Sequence, residues 1–358
     1  MLPRQDGPDP DVTRSSQFGP ASEGMMMTSA LGVSYIIPIV DAASLVPQSL
    51  VALGAQVGDF EREYLFVDDG TVGDAEARIK AMTRSWPGAG VEVLRSRPGF
   101  AAALNVGLAH ATMPYVKPVG PGDVLALDAT VALLAAALES RSFVVFGRAV
   151  LADGQVSASR VADAAKSWIR HNDALPLVLK TPLFHPGQML ARGVAVRIAG
   201  GCDERLGVAA AYSLPLRLAV LGGCTEIGDT VVNLADDHFN PDAREHWRRF
   251  ALACACFLQE TPNLPRSCHR LALRSLAAQA ALCAGRKGPL RGGRGGRYAW
   301  LKLLGYLPLP FQAAPLIRRL LPAFDGPSGT VGPRRSEPAA RAQRLEFGVG
   351  NDPLADRP

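Results

Sequence analysis

The 358-residue sequence contains no uninterrupted apolar run near the ~18 residues that a membrane-spanning helix needs, so the chain is not expected to cross a bilayer. It also lacks the basic and apolar regions of a secretory leader ahead of its cysteines. The six cysteines, Cys202, Cys224, Cys254, Cys256, Cys268 and Cys283, lie mostly in Ala/Leu-rich runs, which predicts reduced thiols in a cytoplasmic protein. The spacing of Cys254 and Cys256 is not that of metal ligands, and neither a second cysteine pair nor clustered histidines accompany it, which speaks against zinc.

Two stretches lack any apolar period. Residues 1–30 and 326–358 are rich in proline, glycine and polar residues and read as disordered tails. Between them, residues 31–240 read as one α/β domain and residues 241–325 as a helical, basic and amphipathic segment. The net charge of +5 is unevenly spread. Arg286, Lys287, Arg291, Arg294 and Arg297 crowd one stretch, which favours an anionic partner locally.

What is present from Val33 onward is a strand-helix alternation. Apolar runs at Val33–Val40, Tyr64–Val67, Val91–Leu94 and Tyr115–Lys117 read as strands. Helical patterns at 42–53, 74–85 and 100–111 read as the crossovers between them. That order implies a mostly parallel sheet, whose ligands sit at the carboxyl ends of the strands. Farther on, Asp128 is placed to cap a helix over 129–139, and Phe143–Phe146 reads as a strand. Residues 160–180 look helical, His185-Pro186-Gly187 makes a turn, and a helix over 209–221 carries a disruptive Pro215. Helices are expected over 244–259 and 271–284. The turn Asp68-Asp69-Gly70-Thr71 offers an acidic pair at a strand's carboxyl end, where Asp69 could accept hydrogen bonds from a bound ring or sugar. The same triplet is also an ordinary turn signal.

Several elements in order resemble the family 2 glycosyltransferases of the GT-A fold. They are the strand Val33–Pro38, the strand and turn Tyr64–Thr71, and the helix carrying Gly99, Ala103, Asn105, Gly107 and Ala111. Two more follow: the segment His185-Pro186, Met189, Arg192, and Gly200–Arg205 ahead of Leu214, Leu216, Arg217 and Leu218. The resemblance covers roughly residues 33–235. It implies a Rossmann-like nucleotide-sugar domain in which Asp69 contacts the base, Asp68 supports it, Pro38 and the Val40-Asp41 loop form a pocket wall, and Asn105 lines the nucleotide side.

The departures from that family concern its acids. Where its members carry an Asp-x-Asp signature for a divalent cation, this chain has Gly120-Pro121-Gly122 followed by Asp123. The resemblance therefore implies no metal cofactor, with Mg²⁺ or Mn²⁺ only if Asp123 substitutes. Where the family has its general base, this chain has Ala210-Ala211, and alanine cannot take a proton. Leu104 and Pro215 replace two further family residues. The remaining candidates for a base are Asp203, Glu204 and His185, each with a structural reading beside the catalytic one. The resemblance implies a UDP-type nucleotide-sugar partner and surface-polysaccharide or glycan assembly, with impaired or unconventional transfer. The alternative is a catalytically inactive relative that regulates or scaffolds a partner glycosyltransferase.

Between residues 286 and 319, basic residues mix with Tyr298, Trp300, Leu301, Leu303, Leu304, Tyr306, Leu307, Phe311, Leu316 and Ile317. That combination suits an anionic membrane surface, hence a peripheral position at the inner face of the membrane, or equally a helix packed back on the domain. Gly292-Gly293-Arg294-Gly295-Gly296-Arg297 could meet RNA phosphates, but without a recognition fold nucleic acid ranks third.

Overall fold

In the computed structural model the described residues are 31–40, 45, 47–86, 90–150, 168–180, 185–234, 244–284, 294–307 and 311–325. They all fall in one compact unit that ends at Asp325. Residues 1–30 and 326–358, expected as tails, lie outside the described set, as do Asp41, Arg286, Lys287 and Arg291.

The chain runs β1 (Gly32–Ile39), α1 (Pro47–Gly54), β2 (Glu61–Asp68), α2 (Ala75–Thr83), β3 (Gly90–Arg95), α3 (Phe100–His110) and β4 (Tyr115–Pro118). Next come β5 (Val124–Leu125), α4 (Ala129–Ser140), β6 (Val144–Val150), β7 (Trp168–His171), α5 (Leu175–Val178), β8 (Met189–Arg192), α6 (Gly193–Ala199), α7 (Ser213–Ala219) and β9 (Cys224–Asn233). Four helices close it: α8 (Arg244–Glu260), α9 (Arg266–Cys283), α10 (Arg294–Leu304) and α11 (Ala313–Arg318). The strands form a single sheet in the order β3-β2-β1-β4-β8-β6-β9-β5, with β7 also on β9. The first four strands are parallel, β8 runs against both β4 and β6, and β6 returns to parallel pairing with β9.

Period-2 alternation in the central strands divides the core into two. Tyr35, Ile37, Tyr64 and Phe66 face α1, α2 and α4, where the rings of Tyr35 and Tyr64 stack at 5.0 Å and Tyr35 donates to Thr130 at 2.8 Å. Ile36 and Leu65 face the other way, onto α3 and a core that continues through α6 and α7 into α8, α9 and α11. With both faces covered, β1 is buried along its whole length, which is why it reads as a continuous apolar run. The segment after residue 240 therefore shares its core with the sheet. Gly107 sits where a Cβ would come within 2.3 Å of the Ile36 side chain, so α3 can lie this close to β1 only with glycine there.

Four expectations are corrected. The described part of 160–180 forms strand β7 and the short α5, because Trp168–His171 finds an open edge of β9. Residues 209–221 do not form one helix: Glu204–Tyr212 is 3₁₀, interrupted at Gly207, and α7 begins only at Ser213. Pro215 is tolerated there because it lies in the first turn, whose N–H groups have no intrahelical partner. Asp128 precedes α4 but makes no side-chain cap, and its carbonyl alone receives the first helical bond, from Ala132. Helix α9 starts at Arg266, five residues earlier than its apolar period suggests.

Candidate functional site

Strands β1, β2, β3 and β4 end along one edge, and the loops leaving them carry most of the residues expected to act. Asp68 closes β2 with its carboxylate 1% exposed, paired with the exposed Arg95 guanidinium and accepting from the Gly70 amide at 2.9 Å. Asp69 accepts from the Thr71 amide at 3.0 Å, the Thr71 hydroxyl at 2.7 Å and the Gly99 amide at 2.9 Å. Its carboxylate therefore ties the β2 turn to the loop that opens α3. These bonds give the ledge a fixed shape before any ligand arrives. Pro38 lies buried in β1 opposite Val67, beyond the last residue of β1 that pairs with β4, so its missing N–H leaves no ladder bond unmade.

Asn105, expected on the nucleotide, is used internally. Its amide nitrogen donates to the Cys202 carbonyl and to Glu204, each at 3.0 Å, and its oxygen accepts from the Cys202 amide at 2.8 Å. It fastens the 200–204 loop to α3. Glu204 in turn receives Arg97 at 2.5 Å. Asp203 is held by Arg205, which pulls its carboxyl below the usual range and lessens its worth as a base, and Arg217 lies 3.8 Å away. Both acids thus act as anchors for the loops around the edge.

Ala210 and Ala211 are 0% and 3% exposed inside the 3₁₀ segment, just before Tyr212 donates to or accepts from His246 at 2.8 Å. The position that corresponds to the family's base is therefore wall rather than surface in this chain.

The loop after β4 forms a buried polar cluster. Lys117 is 0% exposed, and its ammonium donates to the Gly187 carbonyl at 2.7 Å and the Met189 carbonyl at 3.4 Å. Burial lowers its pKa to about 7, against the opposing pull of Asp123. Asp123 is buried, accepts from the Gly120 amide at 3.1 Å and stands 3.6 Å from His185 Nδ1. His185 uses that nitrogen to accept from the Gly187 amide at 3.1 Å, capping a short 3₁₀ turn. Burial, then the nearby Lys117 and His246, push its pKa down to about 3, so it stays neutral and is a poor proton acceptor. A Cβ at Gly120 would lie 2.5 Å from Asp123 Oδ2, and one at Gly187 2.6 Å. The two glycines let the backbone close around this carboxylate.

The donor set for a divalent cation is thus one buried carboxylate and one neutral imidazole, with an ammonium close by. Hard cations such as Mg²⁺ and Mn²⁺ want several oxygen ligands, and Lys117 opposes a second positive charge, so these residues do not fit such an ion. No group of three or more His, Cys, Asp or Glu residues with metal-holding geometry occurs among the described residues. All six cysteines are free. Burial raises the Cys202 thiol to about 12 and the Cys254 thiol further, so neither is a nucleophile. Sequence reasoning missed Lys117, Arg95, Arg97 and Gly187. Only Lys117 left a sign, as a lysine inside a short strand with no polar alternation.

No helix among the described residues is long and apolar enough to cross a membrane. A search of curated proteins finds no match. Residues 34–187 match the model of the glycosyl transferase family 2. Among solved structures, residues 1–349 of TarS from S. aureus superpose with a TM-score of 0.53 at 16% identity, over 82% of this chain and 83% of that one. The same fragment in complex with UDP gives 0.52 at 15% identity, over 82% and 88%. The longer TarS structure gives 0.53 at 14% identity, over 82% of this chain and 53% of its own length. At such identities the likeness is one of fold. The chain thus has the α/β fold of GT-A glycosyltransferases, with the glycosyl transferase family 2 match confined to residues 34–187.

Proposed function

We propose that the chain binds a nucleotide-sugar of the UDP type at the edge formed by β1–β4, and serves glycan or surface-polysaccharide assembly with impaired or unconventional transfer. The observation that carries this is the asymmetry of the edge. The Asp68-Asp69 ledge is formed and tethered to Gly99, whereas the signature position is Gly120-Pro121-Gly122 over a buried Lys117–Asp123–His185 cluster. TarS, whose fragment is similar in fold, has been crystallised with UDP. The base sits against Pro38 and Asp69, and the exposed guanidinium groups of Arg95 and Arg97, each already paired with a carboxylate, are the cations nearest that ledge. The donor's diphosphate is met without a divalent ion, since the cluster under the loop does not suit one.

A second reading is favoured by the burial of Ala210 and Ala211 and by the engagement of Asp203 and Glu204 with arginines. In it the chain is catalytically inactive and regulates or scaffolds a partner glycosyltransferase. Under either reading the basic, aromatic segment 286–319 meets an anionic membrane surface at the inner side of the bilayer. The division into a sheet domain over 31–240 and a helical segment over 241–325 serves these two contacts.

The test is calorimetry with UDP, UDP-sugars and other nucleotide-sugars, with and without Mn²⁺, run beside sugar-nucleotide hydrolysis and transfer assays. Nucleotide binding unchanged by Mn²⁺ is the expected result. Failure to bind any nucleotide, or turnover that requires Mn²⁺, would overturn the reading. Metal-independent turnover would favour the first form over the second.

A further inference from the structure

Away from the sheet edge, α5, α9 and the turn after α10 line an open cavity of about 430 Å³. Its wall includes Arg270 and Arg274, one turn apart on the same face of α9, with Ser267, Leu271, Gly305 and Tyr306. Both arginines are half-buried, and neither is paired with a carboxylate among the described residues. The acid felt nearby is Asp173, which acts on Cys268 and accepts from the Leu175 amide at 3.2 Å. Arg274 lies over the Tyr306 ring, 4.7 Å from its centroid, so the guanidinium is held by its face while its N–H edge stays available. A Cβ at Gly305 would meet Arg274 Cβ at 2.9 Å, which shows how closely this turn approaches α9.

The cavity adjoins an apolar surface. Trp300, Leu303, Tyr306 and Leu307 are 65%, 55%, 58% and 41% exposed. Trp300 and Leu303 lie on one face of α10 and Leu307 follows in the turn after it, while Tyr298 on the opposite face is buried and Leu301 packs on the core. Arg297, one turn before Trp300, is exposed. Water is a poor neighbour for such a stripe. A surface that is apolar below and anionic at its boundary satisfies the stripe and the two arginines together.

We propose that this cavity receives the phosphate of an anionic membrane lipid, with Arg270 and Arg274 as its donors and the Trp300–Leu307 stripe seated at the headgroup-acyl boundary beside it. This rests on the membrane contact proposed above and gives that contact a defined binding site. Arginine suits the role because its fork can offer two parallel N–H groups to one phosphate.

The experiment is co-sedimentation of the full chain with vesicles of phosphatidylcholine alone and of phosphatidylcholine containing phosphatidylglycerol. The expected result is binding only to the anionic vesicles. Arg270→Gln with Arg274→Gln should weaken it about thirtyfold, from the usual worth of two basic residues at an anionic surface. A control pair that removes the same charge from α2, Arg78→Gln with Lys80→Gln, should leave it within a few fold. Calorimetry with UDP should be unchanged in both pairs, and thermal melts verify that both remain folded.

If the Arg270/Arg274 pair binds vesicles as the parent does, while Trp300→Ser with Leu303→Ser abolishes binding, the membrane contact stands and the phosphate site falls. If the parent ignores anionic vesicles, both fall, with the nucleotide reading still judged by UDP binding. Vesicle-independent binding of inorganic phosphate or glycerol phosphate at Arg270 and Arg274 would reassign the cavity to a soluble phosphate. Equal sensitivity of a single-stranded RNA, without vesicle binding, would reassign the surface to nucleic acid.

Discussion

The ends of β2 and β4 lie on either side of β1 at the same edge, yet they keep their carboxylates in different ways. At β2, Asp68 and Asp69 are buried too, but they are satisfied by turn amides, the Thr71 hydroxyl and the guanidinium of Arg95, a cation that itself stands in solvent. At β4, Asp123 is closed in by Gly120 and Gly187 and balanced by Lys117, a cation that is itself fully buried. One end keeps its balancing cation in solvent, where the proposed nucleotide could reach it, and the other keeps it inside the fold.

The largest effect should come from trying to make the two ends alike. Gly120→Asp, Gly122→Asp and Ala211→Asp together would push a side chain into Asp123 Oδ2, place a non-glycine at φ 76° and bury a carboxylate at a site 3% exposed. We expect a loss of about 5 kcal/mol or more in chemical denaturation and no gain in transfer. A stable, Mn²⁺-dependent triple variant would show that the β4 loop is a metal site in waiting. Next, Lys117→Met leaves Asp123 buried without its cation and should cost about 3–5 kcal/mol. Adding Asp123→Asn should recover part of that, and a double-mutant cycle measures the coupling. No recovery would mean that Lys117 acts only through the Gly187 and Met189 carbonyls.

At β2 the effect should appear in binding. Asp69→Ala unties Thr71 and Gly99 and is expected to weaken UDP binding at least about tenfold, roughly 1.4 kcal/mol, in calorimetry. Unchanged affinity would remove this ledge from the site. The smallest effect is a pH slope. His185 has its pKa lowered to about 3 from 6.5, so the unfolded chain takes up a proton there before the folded one does. Its contribution to stability is complete above pH 6.5 and is lost as the pH falls toward 3. About 1 kcal/mol should go between pH 6.5 and roughly 5.5, and His185→Gln should flatten that part of the profile.

The Asp68–Thr71 turn and the helix after Gly99 were legible because turn chemistry and helix packing are local: the acidic turn follows a continuous apolar strand, and Gly107 recurs where α3 presses on Ile36. The structural bonds of Asn105 were not legible, because its partners, Cys202 and Glu204, lie about a hundred residues away and no local pattern carries such a bond. His185 before proline was legible as a turn, but its neutrality comes from burial and from Lys117, which only packing supplies. Trp168–His171 became a strand because β9 offered it an edge.

The sequence by itself determined the order of strands and helices, the acidic turn after β2 and the absence of acids at Gly120, Gly122, Ala210 and Ala211, since these follow from residue type and short-range periodicity. The tertiary structure alone decided where the remaining charges went. Asp123 and Lys117 entered the interior, Asp203 and Glu204 went to arginines, and Arg270 and Arg274 were left facing a cavity. The reason is physical: the state of a charge depends on solvent exposure and on partners distant in sequence, and both exist only after the chain has packed.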